Sequence, residues 1–213
     1  MANDENTLDP EAMLAMKIRL GEGFVREGLL PLDQLTDEEL DAKFSEAIWK
    51  FLKADDFDTA LTFDHTPKLL NAAVAAENEH DLELSSLFYM LWIEHRVNMI
   101  ARVMLRRRGV TDDEAVTIIR KLTIREKMTA LWRVLGLKPV DPEVIGIATI
   151  IEEFRNAFVH FKWPSFPDLR VEDKTWRAIN DVKRVVHTLW DYEEVYVYYG
   201  QRERIVASAA RMK

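Results

Sequence analysis

Asp141-Pro142-Glu143-Val144-Ile145-Gly146-Ile147-Ala148-Thr149-Ile150-Ile151-Glu152-Glu153-Phe154-Arg155-Asn156-Ala157-Phe158-Val159-His160-Phe161-Lys162-Trp163 reads as one helix. Asp141 stands as its N-cap, Pro142 at the first helical position, and Pro164 just beyond its end as a stop. At about 100° per residue, Val144, Ile147, Ile150, Ile151, Phe154, Phe158 and Phe161 gather on one face. Glu152, Arg155, Asn156 and His160 fall on the opposite face. The first set is expected to build a core, which leaves the second for solvent or for chemistry.

Working outward, the pattern is helical throughout, so the expected fold class is all-α. Asp9 to Gly28 reads as a helix interrupted by Gly21 and Gly23. Gly21-Glu22-Gly23 is no phosphate loop, since it follows no predicted strand and lacks the lysine or third glycine. Thr36 with Glu39 forms a capping box for a helix through Trp49, Phe51 and Leu52. Asp55, Asp56, Asp58 and Asp64 crowd a loop that lacks the glycine and terminal glutamate of a calcium site. Pro67 to Glu79 reads as a short alanine-rich helix, and Asp81 to Arg108 as a long one, apolar around almost its whole circumference and therefore a buried axis. Glu94, His95 and Asn98 interrupt that run, either as a satisfied core network or as groups lining a pocket. Thr111–Leu122 and Thr123–Leu135 are two short helices opened by capping boxes, the second closed by Gly136. Glu172–Tyr199 reads as a last long helix, kept helical although Val195–Tyr199 carries strand propensity.

Composition excludes several classes. With no cysteine in 213 residues, disulfides, thiolate metal sites and a cysteine nucleophile are ruled out. The acidic N-terminus and the lack of an apolar run near 18 residues lead us to expect neither a signal peptide nor a membrane span, and a cytoplasmic protein. No zinc-ligand spacing occurs, and no metal or cofactor is expected. The net charge of −8 argues against a general nucleic-acid-coating role, but it conceals an asymmetry. Residues 1–64 hold 6 Lys/Arg against 16 Asp/Glu, whereas residues 96–138 hold 11 against 4, giving −10 and +7. Arg106, Arg107, Arg108, Arg120 and Lys121, with Arg102, Arg125 and Lys127, form a candidate phosphate-tracking surface. The other reading of 106–108 is compensation of a helix dipole before Gly109.

The spacing Arg155-Asn156-x-x-x-His160, late in an all-helical chain, after one long helix and before another, resembles the defining motif of the HEPN superfamily. Many members of that family are metal-independent ribonucleases. The resemblance covers roughly residues 67 to 199 and implies a HEPN-like helical bundle, with residues 67–213 as the domain and residues 1–66 as an acidic helical N-terminal extension. That extension either packs on the core or covers a basic cleft and binds a partner. The resemblance implies that Arg155, Asn156 and His160 are the catalytic residues, supported by Glu152, Glu94 and Asn98. The substrate would be RNA, and a homodimer would share one composite site. Such a protein serves as a toxin, in antiviral defence or in RNA processing, sometimes with an antitoxin or regulatory partner. In the subgroup controlled by a nucleotidyltransferase antitoxin a tyrosine stands two positions after the histidine; here that position is Lys162. The alternative is a non-catalytic domain of the same kind that binds RNA or a nucleotide, or scaffolds an assembly. His65, His80 and His187 have no partner pattern and are expected to be structural or at the surface.

Overall fold

The structure, a computed structural model, describes residues 9–53, 66–160 and 169–212. Among these the chain is helical, without strands. It forms two compact units, one of residues 1–64 with 197–213 and one of residues 65–196. The aspartate loop at 55–64, His65, and the expected passage through Phe161 to Trp163 lie outside the described residues.

In the first unit, α1 (Pro10–Arg26) begins at Asp9, whose side chain accepts from the Glu11 N–H. It runs unbroken through Gly21 and Gly23, which corrects the expected interruption. A Cβ on Gly21 would stand 2.5 Å from Ile205 Cγ2 and 2.7 Å from Phe44 Cζ, so this glycine serves close packing and not a turn. A 3₁₀ turn (Leu32–Gln34) leads to α2 (Asp37–Lys53), opened by the expected capping box of Thr36 and Glu39. α11 (Arg202–Arg211) packs against α1 and α2. Arg204 donates to Asp37 and to the Leu32 and Leu35 carbonyls, and Arg211 donates from two nitrogens to Asp41 at 2.7 and 2.8 Å. The terminal residues 197–213, expected in the larger domain, therefore belong with the N-terminal segment. A basic helix pairing with acidic ones across 170 residues of chain leaves no local pattern to read.

The second unit is built on α4 (Leu82–Arg106), capped by Asp81 through the Leu84 N–H and wholly buried at Trp92, Ile93, Val97 and Ile100. Each such side chain contributes roughly 1.5–3 kcal/mol by leaving water. α3 (Thr66–Asn78) lies along it. α5 (Asp112–Arg120) and α6 (Ile124–Glu126) both start at complete capping boxes, Thr111 with Glu114 and Thr123 with Glu126. α6 continues into a π-turn, Lys127–Leu131, and then α7 (Trp132–Val134), closed at Gly136 with φ +66°. α8 (Pro142–Val159) lies against α4, α9 and α10, with Asp141 accepting from the Glu143 N–H.

The expected single helix after the motif is three pieces: α9 (Leu169–Asn180), α10 (Val182–Tyr192) and a second π-turn, Glu193–Val197. The break falls at Asn180-Asp181, where short polar side chains compete for backbone hydrogen bonds and weaken helix. Val195 to Val197 is thus helical, as expected, in the wider π form, and the chain turns at Tyr199 and Gly200, with φ +55° and +68°.

Candidate functional site

The sequence pattern carries the motif helix on to Trp163, but α8 ends at Val159. His160 is its C-cap, exposed, its N–H donating to the Asn156 carbonyl at 3.1 Å. Val144, Ile147, Ile151 and Phe154 are buried as expected, while Phe158 and Val159 are 39% and 44% exposed beside His160. Arg155 departs from the expected solvent face. Its side chain is only 17% exposed and its Nη2 lies 2.7 Å from Glu94 Oε1 on α4. The long arginine stem lets a residue at the edge of the apolar face turn inward.

Glu94 and Glu152, both expected to support the motif, are drawn into one charged cluster with Arg155. Ile124 N–H donates to Glu152 Oε1 at 3.3 Å, so the start of α6 abuts α8 one turn before Arg155. Burial pushes the Glu152 carboxyl above the usual carboxylate range, with the nearby Glu94 charge adding to it. The Ile124 N–H, Arg155 and Lys127 pull the other way. Lys127, which the charge pattern groups with the basic surface, is instead buried, 6% exposed. It stands at the first position of the π-turn, within electrostatic reach of Glu94, Glu152 and Arg155. Burial pulls its ammonium below the ordinary lysine value, against the two carboxylates, which favour its charge. A signal for this is present in the sequence: Lys127 lies three residues after Ile124 and four before Leu131, on the apolar stripe of its helix.

Asn98, one turn beyond Glu94 on α4, is half-buried with Oδ1 enclosed and without a hydrogen-bond partner. Asn156 is half-buried, and His95 is exposed. His187 stacks on Trp190 at 5.9 Å between ring centres, and His80 lies 6.1 Å from Trp176. Among the described residues no group of three or more histidines and carboxylates converges as a metal site would require. No helix among the described residues is long and apolar enough to cross a membrane. An open groove of about 440 Å³ lies between α8 and α9, walled by Ile147, Ile150, Lys174 and Arg177, but none of Arg155, Asn156 and His160 lines it.

The basic residues divide. Arg107 donates to the Tyr196 carbonyl and Arg108 to the Met104 and Leu135 carbonyls, the orphan acceptors that helix ends leave. Arg106 lies 3.5 Å from Asp112, which Arg102 also holds. Along α4, at 1.5 Å per residue, Arg106 sits about 18 Å and Arg102 about 12 Å from Glu94, and Arg107 and Arg108 follow the end of the helix. Arg120 and Lys121 are exposed at the end of α5, and Lys121 is three residues before Ile124, which bonds to Glu152.

In comparisons with known proteins, the chain matches no family model, no curated protein and no solved structure.

Proposed function

We propose that the protein is a HEPN-like, metal-independent endoribonuclease. The observation that carries this reading is the Arg155–Glu94 ion pair, because it sets a cation held by the long axial helix one and a half turns from an exposed histidine. Cleavage of RNA without a metal needs a base to take the proton from the 2′-hydroxyl, an acid to protonate the departing 5′-oxygen, and donors for the pentavalent phosphate. Arg155 is the phosphate clamp, able to offer parallel hydrogen bonds to two oxygens. His160 is the acid–base group, with a reference pKa of about 6.5 that suits both directions. Asn156, four residues before His160, orients the imidazole or the phosphate. Glu94 holds the clamp from behind, Glu152 and Asn98 are its supporting polar neighbours on α8 and α4, and Arg120 and Lys121 extend the path of the RNA backbone.

One imidazole cannot serve both sides of a phosphate. A two-fold dimer supplies the second, and the exposed Phe158 and Val159 flanking His160 offer apolar surface for it. The products are then a 2′,3′-cyclic phosphate and a 5′-hydroxyl, and DNA is refractory. The setting is toxin–antitoxin, phage defence or RNA processing, with the acidic N-terminal segment as a surface for a regulatory partner. A second reading, a non-catalytic domain that binds RNA or a nucleotide, is favoured by the low exposure of Arg155, since its guanidinium is already engaged.

The test is to incubate the protein with single-stranded and structured RNA in EDTA and to analyse the end groups. Cyclic-phosphate products from RNA and none from DNA of the same sequence are expected. Binding without cleavage would select the second reading. Sedimentation at tens of micromolar should find a dimer; a monomer that cleaves would sink the composite site.

A further inference from the structure

The far end of α4 brings cations to a group of side chains that the proposed chemistry does not use. Past Arg106 the chain continues in Arg107 and Arg108, both exposed. Arg107 Nη1 donates to the Tyr196 carbonyl at 2.5 Å, and Arg108 bridges two helix ends by donating to the Met104 and Leu135 carbonyls. Just after α7, the backbone of Lys138, itself exposed, is held from both sides. Its N–H donates to Tyr196 Oη at 3.0 Å, and its carbonyl accepts from Tyr192 Oη at 2.8 Å. Three exposed cations are thereby gathered at one corner with a pair of tyrosines. The rings form a tilted stack that begins at Trp132, 1% exposed. It passes to Tyr192 at 5.7 Å between ring centres and on to Tyr196 at 5.5 Å, both of them half-buried, so the stack rises from the core to the surface.

The arginines here satisfy carbonyls that helix ends leave open. A guanidinium has five N–H donors, so a carbonyl fixes its place without exhausting it. Of the acids on the neighbouring turn, Glu193 is wholly buried against Arg96, and Asp191 and Glu194 are those that remain beside the three cations. Positive charge next to a surfacing stack of rings suits a chain that offers phosphates and flat apolar faces in alternation. We propose that this corner, formed by Arg107, Arg108, Lys138, Tyr192 and Tyr196, binds single-stranded RNA, with the cations along the backbone and Tyr196 beneath a base. The inference says where substrate is held and rests on the ribonuclease reading for the choice of RNA over other polyanions. The corner is separate from the motif. Arg106 stands about 18 Å along α4 from Glu94, so only a strand of several nucleotides reaches both.

The experiment uses the full chain and four substitutions, Tyr196→Leu, Tyr196→Phe, Lys138→Gln and Arg107→Gln. Binding of polyuridylate and of polyglutamate is measured against salt in a His160→Ala background, so that the RNA survives. Cleavage of polyuridylate and of the dinucleotide UpU is measured with His160 in place. Tyr196→Leu should weaken polyuridylate binding by about 5- to 100-fold, the usual loss for one stacked base, and Tyr196→Phe, which keeps the ring, should stay near wild type. Lys138→Gln and Arg107→Gln should each flatten the log–log salt slope by about 0.7. In cleavage, KM for polyuridylate should rise with kcat unchanged, and UpU, too short to reach from the motif to the corner, should be cut as before. Folded Tyr196→Leu with unchanged affinity, or an unmoved salt slope in Lys138→Gln, overturns the proposal. If Tyr196→Leu does not fold, Lys138→Gln decides, because that side chain is exposed. Polyglutamate bound as tightly as polyuridylate, and lost in step with it, also overturns the proposal and makes an acidic protein the occupant. A wild type that cleaves nothing but binds polyuridylate as described removes the ribonuclease reading and leaves the corner standing. One that cuts UpU but shows none of these binding effects does the reverse.

Discussion

Two π-turns each begin with a buried charged residue, and they use it differently. Glu193 opens Glu193–Val197, is wholly buried, and accepts from Arg96 Nη1 at 2.7 Å, with Arg96 itself 9% exposed and lying over the Trp92 ring. Lys127 opens Lys127–Leu131 and faces a cluster whose ion pair is open to water, 17% exposed at Arg155 and 30% at Glu94. The first arrangement is closed, so nothing outside the protein can use it. The second has the same ingredients at the edge of the core, partly open to water, about one and a half turns along α8 from an exposed histidine. Similar local windings thus yield a stabilising contact in one place and a candidate site in the other, and solvent access makes the difference.

The contrast predicts separate consequences for stability and for activity. Arg96→Met takes the guanidinium away from a wholly buried carboxylate and should cost about 3–5 kcal/mol in urea unfolding. A loss below about 1 kcal/mol would mean that the two turns do not differ as described. Arg155→Ala should lower cleavage by about 10²–10³-fold, the usual cost of one donor to a charged transition state. Its unfolding midpoint should move much less than that of Arg96→Met, because the pair it breaks is partly solvated. Equal destabilisation by both substitutions would break the comparison.

A smaller effect maps the edge of the open site. Replacing Arg120 and Lys121 with Gln should flatten the salt dependence of RNA binding by roughly one log–log unit for each phosphate that is no longer neutralised, with turnover at saturating RNA preserved. The smallest effects are on the pH dependence of stability. The folded value of Glu152 lies above its unfolded one, mainly through burial. Its contribution is therefore complete below about pH 4.3, the reference for glutamate, and is lost as pH rises through the folded value. Asp112 is held low, mainly by the hydrogen bond from Arg102, so its contribution is present above the unfolded value and lost as pH falls. Glu152→Gln should remove the first slope and Asp112→Asn the second, measured by unfolding across roughly pH 3 to 8, a range set by these reference values.

Helix starts are legible in the residues, since Thr36, Asp81, Thr111, Thr123 and Asp141 each cap as their side chains dictate. The two π-turns are not, because apolar periodicity runs through a single wider turn without interruption. Gly21 escapes a local reading for a related reason: its role is set by Phe44 and Ile205, far away in sequence. In the candidate site, helical spacing sets Glu152 one turn from Arg155 and the family resemblance alone brings Glu94 toward the motif, while the pattern directs Arg155 to the face opposite the core. Helical angle alone does not decide which way a long side chain at the border of two faces will bend.

The most direct measurement is the rate of RNA cleavage in EDTA by His160→Ala beside wild type, with the unfolding midpoint of each. His160 is exposed at the end of α8, so its loss should leave the midpoint in place. The rate should fall by about 10²–10⁴-fold, as loss of an acid–base group requires. Equal rates for the two proteins, or a wild type that leaves RNA intact, would contradict the account.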